Sequence, residues 1–257
     1  MISRDALFDL TGKVAIVTGG GRGIGRGIAE GLAAFGARVF LVGRTEATLT
    51  AATKEMTAQG LNAGYHIADV SKEAEIIALT DAVMASEGHI DILVNNAGVN
   101  PIYRNAERTT LAEWQTIIDT NLTGVFLCCK YLGAKMVEQG AGSIISISSV
   151  AGHIGLARSV PYNASKGGVE LLAKGLAIDW APKGVRVNTI APGYFETDLT
   201  AGMRDNEAMS KKLLDRTPLN RFGKLNDLAG AAVFLASDAS AYVTGQSLRV
   251  DGGYTAG

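Results

Sequence analysis

Apolar runs and helical periodicities alternate along this chain from one end to the other. Seven short β-branched runs, at 14–18, 38–42, 64–68, 90–94, 143–148, 184–190 and 247–250, are bounded by Gly, Asp or Ser and read as strands. Between them, patterns of 3.6-residue period predict helices over 23–35, 46–59, 71–87, 110–139 (two helices or one long bent one), 161–181 and 225–237. Most of the strands are apolar on both faces and are separated by segments long enough for a helix. That combination makes a parallel sheet covered on both sides by crossovers. The expected fold is therefore α/β, a doubly wound parallel seven-stranded sheet with helices on both faces, in a single domain over 1–257. One stretch breaks the rhythm. Between Gly193 and Phe222 roughly thirty residues pass without a clear helix, more than a compact domain spends on a connection, which predicts a mobile lid or substrate loop over about 194–222.

Composition narrows the class. With 24 basic and 25 acidic residues the net charge is −1, so no global field draws nucleic acid or an anionic membrane. At 47% hydrophobic and 19% charged, the chain can bury a large core. The only two cysteines, Cys128 and Cys129, are adjacent, a poor geometry for a structural disulfide, which suits a reducing compartment. The first thirteen residues lack the apolar core of a secretory signal, and no run approaches the ~18 apolar residues of a membrane span. A soluble, cytoplasmic protein is expected. The three histidines, His66, His89 and His153, are scattered and have no ligand spacing with Cys, Asp or Glu, so no metal is indicated.

Glycine is in excess, 32 residues in the chain, and seven of them lie between 19 and 31. Gly19-Gly20-Gly21-Arg22-Gly23-Ile24-Gly25 follows the first strand and opens the first helix. Such a turn lets backbone N–H groups approach a ligand closely, and the helix N-terminus adds positive dipole for a pyrophosphate. This is the setting of a dinucleotide-binding, Rossmann-like fold, although the spacing of Gly19, Gly23 and Gly25 is G-x-x-x-G-x-G rather than the usual G-x-G-x-x-G.

Tyr-x-x-x-Lys occurs twice, at Tyr131/Lys135 and Tyr162/Lys166. Thirteen residues before Tyr162 stands Ser149, at the end of the fifth predicted strand, where a doubly wound sheet presents its ligands. Thirteen before Tyr131 stands Ile118. The first pair therefore reads as helix surface or interface and the second as the active pair. Ser159 is placed to cap the tyrosine helix and Pro161 to be its first residue.

Together with Asn95-Asn96-Ala97-Gly98 after the fourth strand and Pro192-Gly193 after the sixth, these motifs resemble the short-chain dehydrogenase/reductase family from about Gly12 to Gly253. The resemblance implies interconversion of a secondary alcohol and a ketone by hydride transfer. It assigns Asn121, Ser149, Tyr162 and Lys166 as the catalytic set: Tyr162 as general acid/base, Lys166 on the nicotinamide ribose, Ser149 on the substrate oxygen, and Asn121 positioning a relay water. A lysine one helical turn from the tyrosine is expected to lower the phenol's pKa from its ordinary value of about 10. The cofactor set is Gly19, Gly21, Arg22, Gly23, Ile24, Gly25, Arg44, Asp69, Val70, Asn95, Ala97, Gly98, Tyr162, Lys166, Pro192, Gly193 and Thr197. Asp69 has the alternative of capping the next helix, and Asn95 that of a strand-end turn.

The second strand ends on Gly43-Arg44 with no acidic residue to meet a ribose diol, and Arg22 waits in the glycine loop. Two guanidiniums there favour a 2′-phosphate, hence NADP(H) over NAD(H), with Glu46 a candidate to neutralise Arg44. Substrate contacts are sought in 99–104, 150–159 and 194–222, with Ser149, His153, Tyr162 and Tyr194 the candidates. Ile102, Tyr103, Ile154 and Leu156 offer an apolar wall; Asn100, Arg104 and Arg158 offer polar contacts. Within the family the chain resembles gluconate and other sugar dehydrogenases, so a sugar, sugar acid or polyol is the expected small-molecule substrate. It is also similar to 3-oxoacyl-[acyl-carrier-protein] reductases, an alternative in which Arg104, Arg108 and Arg158 would have to converge on an acidic carrier protein. A nucleotide-binding scaffold without turnover is the third reading, opposed by the complete catalytic set. The resemblance also implies a homotetramer or homodimer built on 110–139, 161–181 and the last strand and helix.

Overall fold

The structure, a computed structural model, describes residues 7–257. Its strands are β1 Val14–Thr18, β2 Arg38–Gly43, β3 Ala63–Ile67, β4 Ile92–Asn95, β5 Gly142–Ile147, β6 Val185–Pro192 and β7 Ser247–Val250. They form one seven-stranded sheet in the order β3-β2-β1-β4-β5-β6-β7, with every pairing parallel. β1 is wholly buried, as its unbroken apolar run requires, whereas β3 and β7 are the edges and are more open. The chain runs outward from β1 to β3, then returns to lay β4 on the other side of β1. The strand order reverses between β1 and β4, which opens a crevice at their C-terminal ends.

The helices are α1 Gly23–Ala34, α2 Glu46–Ala58, α3 Glu73–Glu87, α4 over 111–139, α5 Val160–Trp180, α6 Ala201–Arg204, α7 Glu207–Asp215 and α8 Leu225–Ala236. On one face α1, α2 and α8 bury Ile28, Leu32, Met56 and Leu228 against the sheet. On the other, α3, α4 and α5 bury Ile76, Leu132, Met136 and Val169. The region 110–139 is one helix: the α segments Leu111–Ile118, Gly124–Cys128 and Ala134–Gln139 are joined by π segments at Asp119–Thr123 and Cys129–Gly133. It opens with a capping box between Thr110 and Glu113.

Two expectations fail here. The stretch 194–222 is not an irregular loop. A 3₁₀ turn, Asp198–Thr200, leads into α6 and α7, and the Asn206 side chain caps α7 by accepting from the Met209 N–H at 2.9 Å. Leu213 of α7 packs with Val150 and Tyr254 in a small third core, so this segment is a docked helical flap. α7 is short and polar overall, with Leu213 its single buried residue, so few apolar positions mark it as a helix in the sequence. The start of α5 also differs. Val160 is its first residue and Pro161 its second, while Ser159 occupies the cap position without capping, its hydroxyl donating instead to the Ala157 carbonyl at 3.4 Å. Among the described residues no helix is long and apolar enough to cross a membrane.

Candidate active site

A cavity of about 580 Å³ occupies the crevice where the strand order reverses. Its floor is the glycine loop: Gly19, Gly21, Arg22, Gly23 and Ile24 all line it. Gly23 takes φ +55°, a left-handed conformation that a side chain resists, and the first turn of α1 has no capping side chain over its N–H groups. Gly25 does not line the cavity. A Cβ there would stand 2.4 Å from both the Asn96 amide nitrogen and the Gly19 carbonyl oxygen, so this glycine allows α1 to close on the end of β4.

The residue it closes on is Asn96, whereas the sequence points to Asn95. Asn95 is buried below the cavity, where its amide donates to Ser146 Oγ at 3.3 Å and to Cys129 Sγ at 3.4 Å. Asn96 is the one that lines the cavity, and its Nδ2 donates to the carbonyls of Thr18 at 2.9 Å and Gly19 at 3.1 Å. Thr18 Oγ1 accepts in return from the N–H groups of Asn96 and Ala97. Alternation along a strand supplied the missing signal: if Asn95 is the last strand residue facing the core, its neighbour faces the other way. Ala97 and Gly98 line the cavity as expected.

At one end of the cavity Gly43, Arg44, Thr45 and Thr48 face Asp69 and Val70. Asp69 accepts from the Ser71 N–H and hydroxyl at 3.0 and 2.8 Å and meets Arg44 at 3.9 Å. Burial works against its charge, yet these hydrogen bonds and the charges of Arg44 and Lys72 hold the carboxyl below its ordinary value. Glu46 does not neutralise Arg44; it accepts from the Tyr65 hydroxyl instead. Arg22 meets Asp198 of the flap at 3.5 Å, and both side chains are largely exposed. The two guanidiniums thus stand at the cavity with only long, solvated ion pairs, free to turn to a stronger anion. Main-chain donors at a helix start, followed by exposed arginines and no acidic residue at the end of β2, fit a dinucleotide carrying an extra phosphate.

At the other end Ser149, Tyr162 and Lys166 come together on the wall, with Pro192, Gly193 and Thr197 across from them. Ser149 lies just past β5, where it caps the turn Val150–Gly152 by accepting from the Ala151 N–H at 3.1 Å. Tyr162 is half-buried as a residue, and it lines the cavity beside Ser149. Burial pushes its phenol above its ordinary pKa, with Ser149 acting the other way. The expected lowering by Lys166 is not found. That lysine's ammonium lies 5.7 Å from the Tyr162 ring centre and donates to the Ile147 carbonyl at 2.7 Å. Burial pulls Lys166 down to about 8, opposed by the charge of Glu170.

Asn121 lies within the first π segment of α4, fully buried, and Thr120 rather than Asn121 lines the cavity. Its amide bridges two elements, exchanging hydrogen bonds with the Val99 N–H and carbonyl at 2.8 and 2.9 Å and donating to Ser165 Oγ at 3.3 Å. Irregular turns of this kind recur at functional sites, and here one ties the strand end after β4 to the tyrosine helix.

Two substrate candidates are placed elsewhere. The His153 ring points to Ser247 and Glu170, at 2.9 and 3.2 Å, away from the cavity. Tyr194 lines a separate cavity of about 250 Å³, edge-on to Tyr254. In their place the flap brings Phe195, Asp198 and Thr200 to the main cavity. Of the three arginines, Arg104 is paired with Glu113 at 3.1 Å, and Arg158, at φ +59°, lies over the Tyr103 ring.

Comparison with known proteins agrees with this arrangement. Residues 19–255 match the family described as Enoyl-(Acyl carrier protein) reductase. Gluconate 5-dehydrogenase of Gluconobacter oxydans (strain 621H) is 41% identical over 256 residues, covering 99% of both chains. A 3-oxoacyl-[acyl-carrier-protein] reductase of Chlamydia muridarum is 39% identical over 248 residues, covering 95% of this chain and 98% of the other. The crystal structure of a gluconate 5-dehydrogenase from Burkholderia cenocepacia J2315, in complex with NADP and tartrate, is similar with a TM-score of 0.96. It is 40% identical and covers 99% of this chain and 100% of that one.

Proposed function

Because the chain belongs to the short-chain dehydrogenase/reductase family, we propose that it interconverts a secondary alcohol and a ketone of a sugar, sugar acid or polyol, using NADP(H). The observation that carries this reading is the convergence of Ser149, Tyr162 and Lys166 on the same cavity that the glycine loop floors. Bound NADP(H) supplies or accepts the hydride. Gly19, Gly21, Gly23 and the start of α1 would hold its pyrophosphate, Arg22 and Arg44 its 2′-phosphate, and Asp69 and Val70 its adenine side. NAD(H) is the weaker option because Gly43 offers no carboxylate to a free ribose hydroxyl.

In reduction, Tyr162 gives its phenolic proton to the carbonyl oxygen as negative charge builds there, and in oxidation it takes the proton back. Ser149, on the same cavity wall, would hold that oxygen in line. A phenol raised by burial stays protonated at neutral pH, which suits the reducing direction. Lys166 would hold the nicotinamide ribose and keep positive charge beside the developing alkoxide, while Asn121 fixes Val99 and Ser165 around them.

The gluconate 5-dehydrogenase relatives support a hydroxylated substrate. The carrier-protein reading has less behind it, since Arg104, one of three arginines available to an acidic partner, is engaged by Glu113. Assembly into a homotetramer or homodimer belongs to the same reading. It is supported by large apolar side chains left exposed on α4 and α5, among them Leu111, Phe126, Leu171 and Ile178. A cytoplasmic setting is supported by the free, buried Cys128 and Cys129. The decisive experiment is a spectrophotometric panel of keto-sugars, keto-acids, 3-oxoacyl thioesters and simple ketones against NADPH and NADH. Fastest turnover of a keto-sugar or sugar keto-acid with NADPH is expected; a preference for 3-oxoacyl thioesters would reverse the substrate assignment.

A further inference from the structure

One buried carboxylate close to the active site has no part in the reaction just described. Glu170 lies on α5 four residues after Lys166, one helical turn on and therefore on the same face. Both side chains are buried, Lys166 at 4% and Glu170 at 6% exposure. A carboxylate at that depth is retained only when it is paired and hydrogen-bonded. Each of its oxygens is held: Oε2 accepts from Thr189 Oγ1 at 2.7 Å, and Oε1 accepts from Ser247 Oγ at 3.1 Å and meets His153 Nε2 at 3.2 Å. These partners come from β6, β7 and the turn after β5. That last turn begins at Ser149 and packs on α5, where a Cβ on Gly152 would stand 3.0 Å from the Lys166 carbonyl oxygen.

The anchor points of the two side chains are neighbours in the sheet. Lys166 reaches the carbonyl of Ile147 on β5, and Glu170 reaches Thr189 on β6; Ile147 pairs with Ile190, the next residue along. The titratable groups facing Glu170 are Lys166 from its own helix and His153 from the turn after β5, whereas β6 and β7 offer it the hydroxyls of Thr189 and Ser247.

We propose that Glu170 is a positioning residue of this active site: its carboxylate, anchored by Thr189, Ser247 and His153 one helical turn from Lys166, binds the Ser149 turn to the helix that carries Tyr162 and Lys166. The proposal rests on the oxidoreductase reading and adds to it a group that never touches substrate or cofactor. Burial alone works against the Lys166 charge, and the Glu170 charge is what opposes it. Removing that negative charge while keeping the shape lets Lys166 lose its proton at lower pH.

The test is the pH profile of NADPH-dependent ketone reduction in Glu170→Gln, which preserves volume and can still hydrogen-bond Thr189 and Ser247. Its alkaline limb should move acidward by about one pH unit, with kcat lowered about fivefold at pH 8, about tenfold at pH 9 and hardly at all at pH 6. A limb superimposable on the wild type overturns the proposal, whether activity is retained or falls equally at every pH. Should Glu170→Gln fail to fold, Glu170→Asp supplies the second reading. It retains the charge on a shorter arm, so its limb should stay within about 0.3 units of the wild type while kcat falls. A full-unit acid shift in that variant also overturns the proposal. Tyr162→Phe, run alongside, separates the two levels: undiminished turnover there removes the oxidoreductase mechanism, whereas its loss together with an unmoved Glu170→Gln limb removes only the role of Glu170.

Discussion

Two Tyr-x-x-x-Lys pairs share this chain, and the structure gives them opposite surroundings. Tyr131 and Lys135 sit on α4 with their polar ends at the surface. The Tyr131 hydroxyl is bonded to Glu73 at 2.5 Å, and Lys135 is paired with Glu138 at 2.8 Å. Tyr162 and Lys166 stand on α5 with their polar ends enclosed, no carboxylate in direct contact, and a cavity in front of them. The spacing is common to both because one helical turn brings any such pair to one face. What differs is where the helix lies relative to the C-terminal ends of the strands. A phenol tied to a surface carboxylate has its proton already committed, whereas an enclosed one beside a serine at a strand end can protonate a bound oxygen.

The comparison can be broken at either pair. Tyr162→Phe should lower kcat for ketone reduction by about a thousandfold, the scale of a lost general acid, while NADPH affinity measured by fluorescence quenching stays within a few-fold. The next largest effect concerns the cofactor. Replacing both Arg22 and Arg44 by Ala should weaken NADPH binding by about a hundredfold and NADH binding hardly at all, measured by calorimetry; equal losses for both cofactors would remove the 2′-phosphate assignment. Lys166, pulled down to about 8, is charged below that pH and neutral above it. Reduction should therefore be constant on the acid side and fall about tenfold for each unit above pH 8, a limb that Lys166→Arg abolishes because a guanidinium stays charged. The smallest effect belongs to the surface pair: Tyr131→Phe should change kcat by less than about twofold.

Chemistry that depends on neighbours along the chain is legible in the sequence. The glycine loop, the Tyr162/Lys166 turn and the alternation of strands with helices are local patterns, and all three stand in the fold as expected. A side-chain direction decided by distant contacts is not legible there. Asn95 and Asn96 are equivalent in a string of letters, yet one faces Cys129 and Ser146 while the other faces the cavity. His153 follows the active serine closely but is drawn to Glu170 and Ser247, residues 17 and 94 positions away. Gly25 belongs to the motif and serves packing rather than the ligand. The helices within 194–222 are short and polar and so offer few apolar positions, although Asn206 ahead of Met209 is a cap that the chain does display.

The bonds made by Asn96 also bear on the thermodynamics of cofactor uptake. By riveting the ends of β1 and β4 to the first glycine of the loop, Asn96 and Thr18 place most of the loop's loss of conformational freedom in the folding of the protein rather than in the encounter with nucleotide. A dinucleotide then meets a receptor already in shape. On the 2′-phosphate assignment, association would be steered by the two guanidiniums and the affinity set mainly by the rate of release.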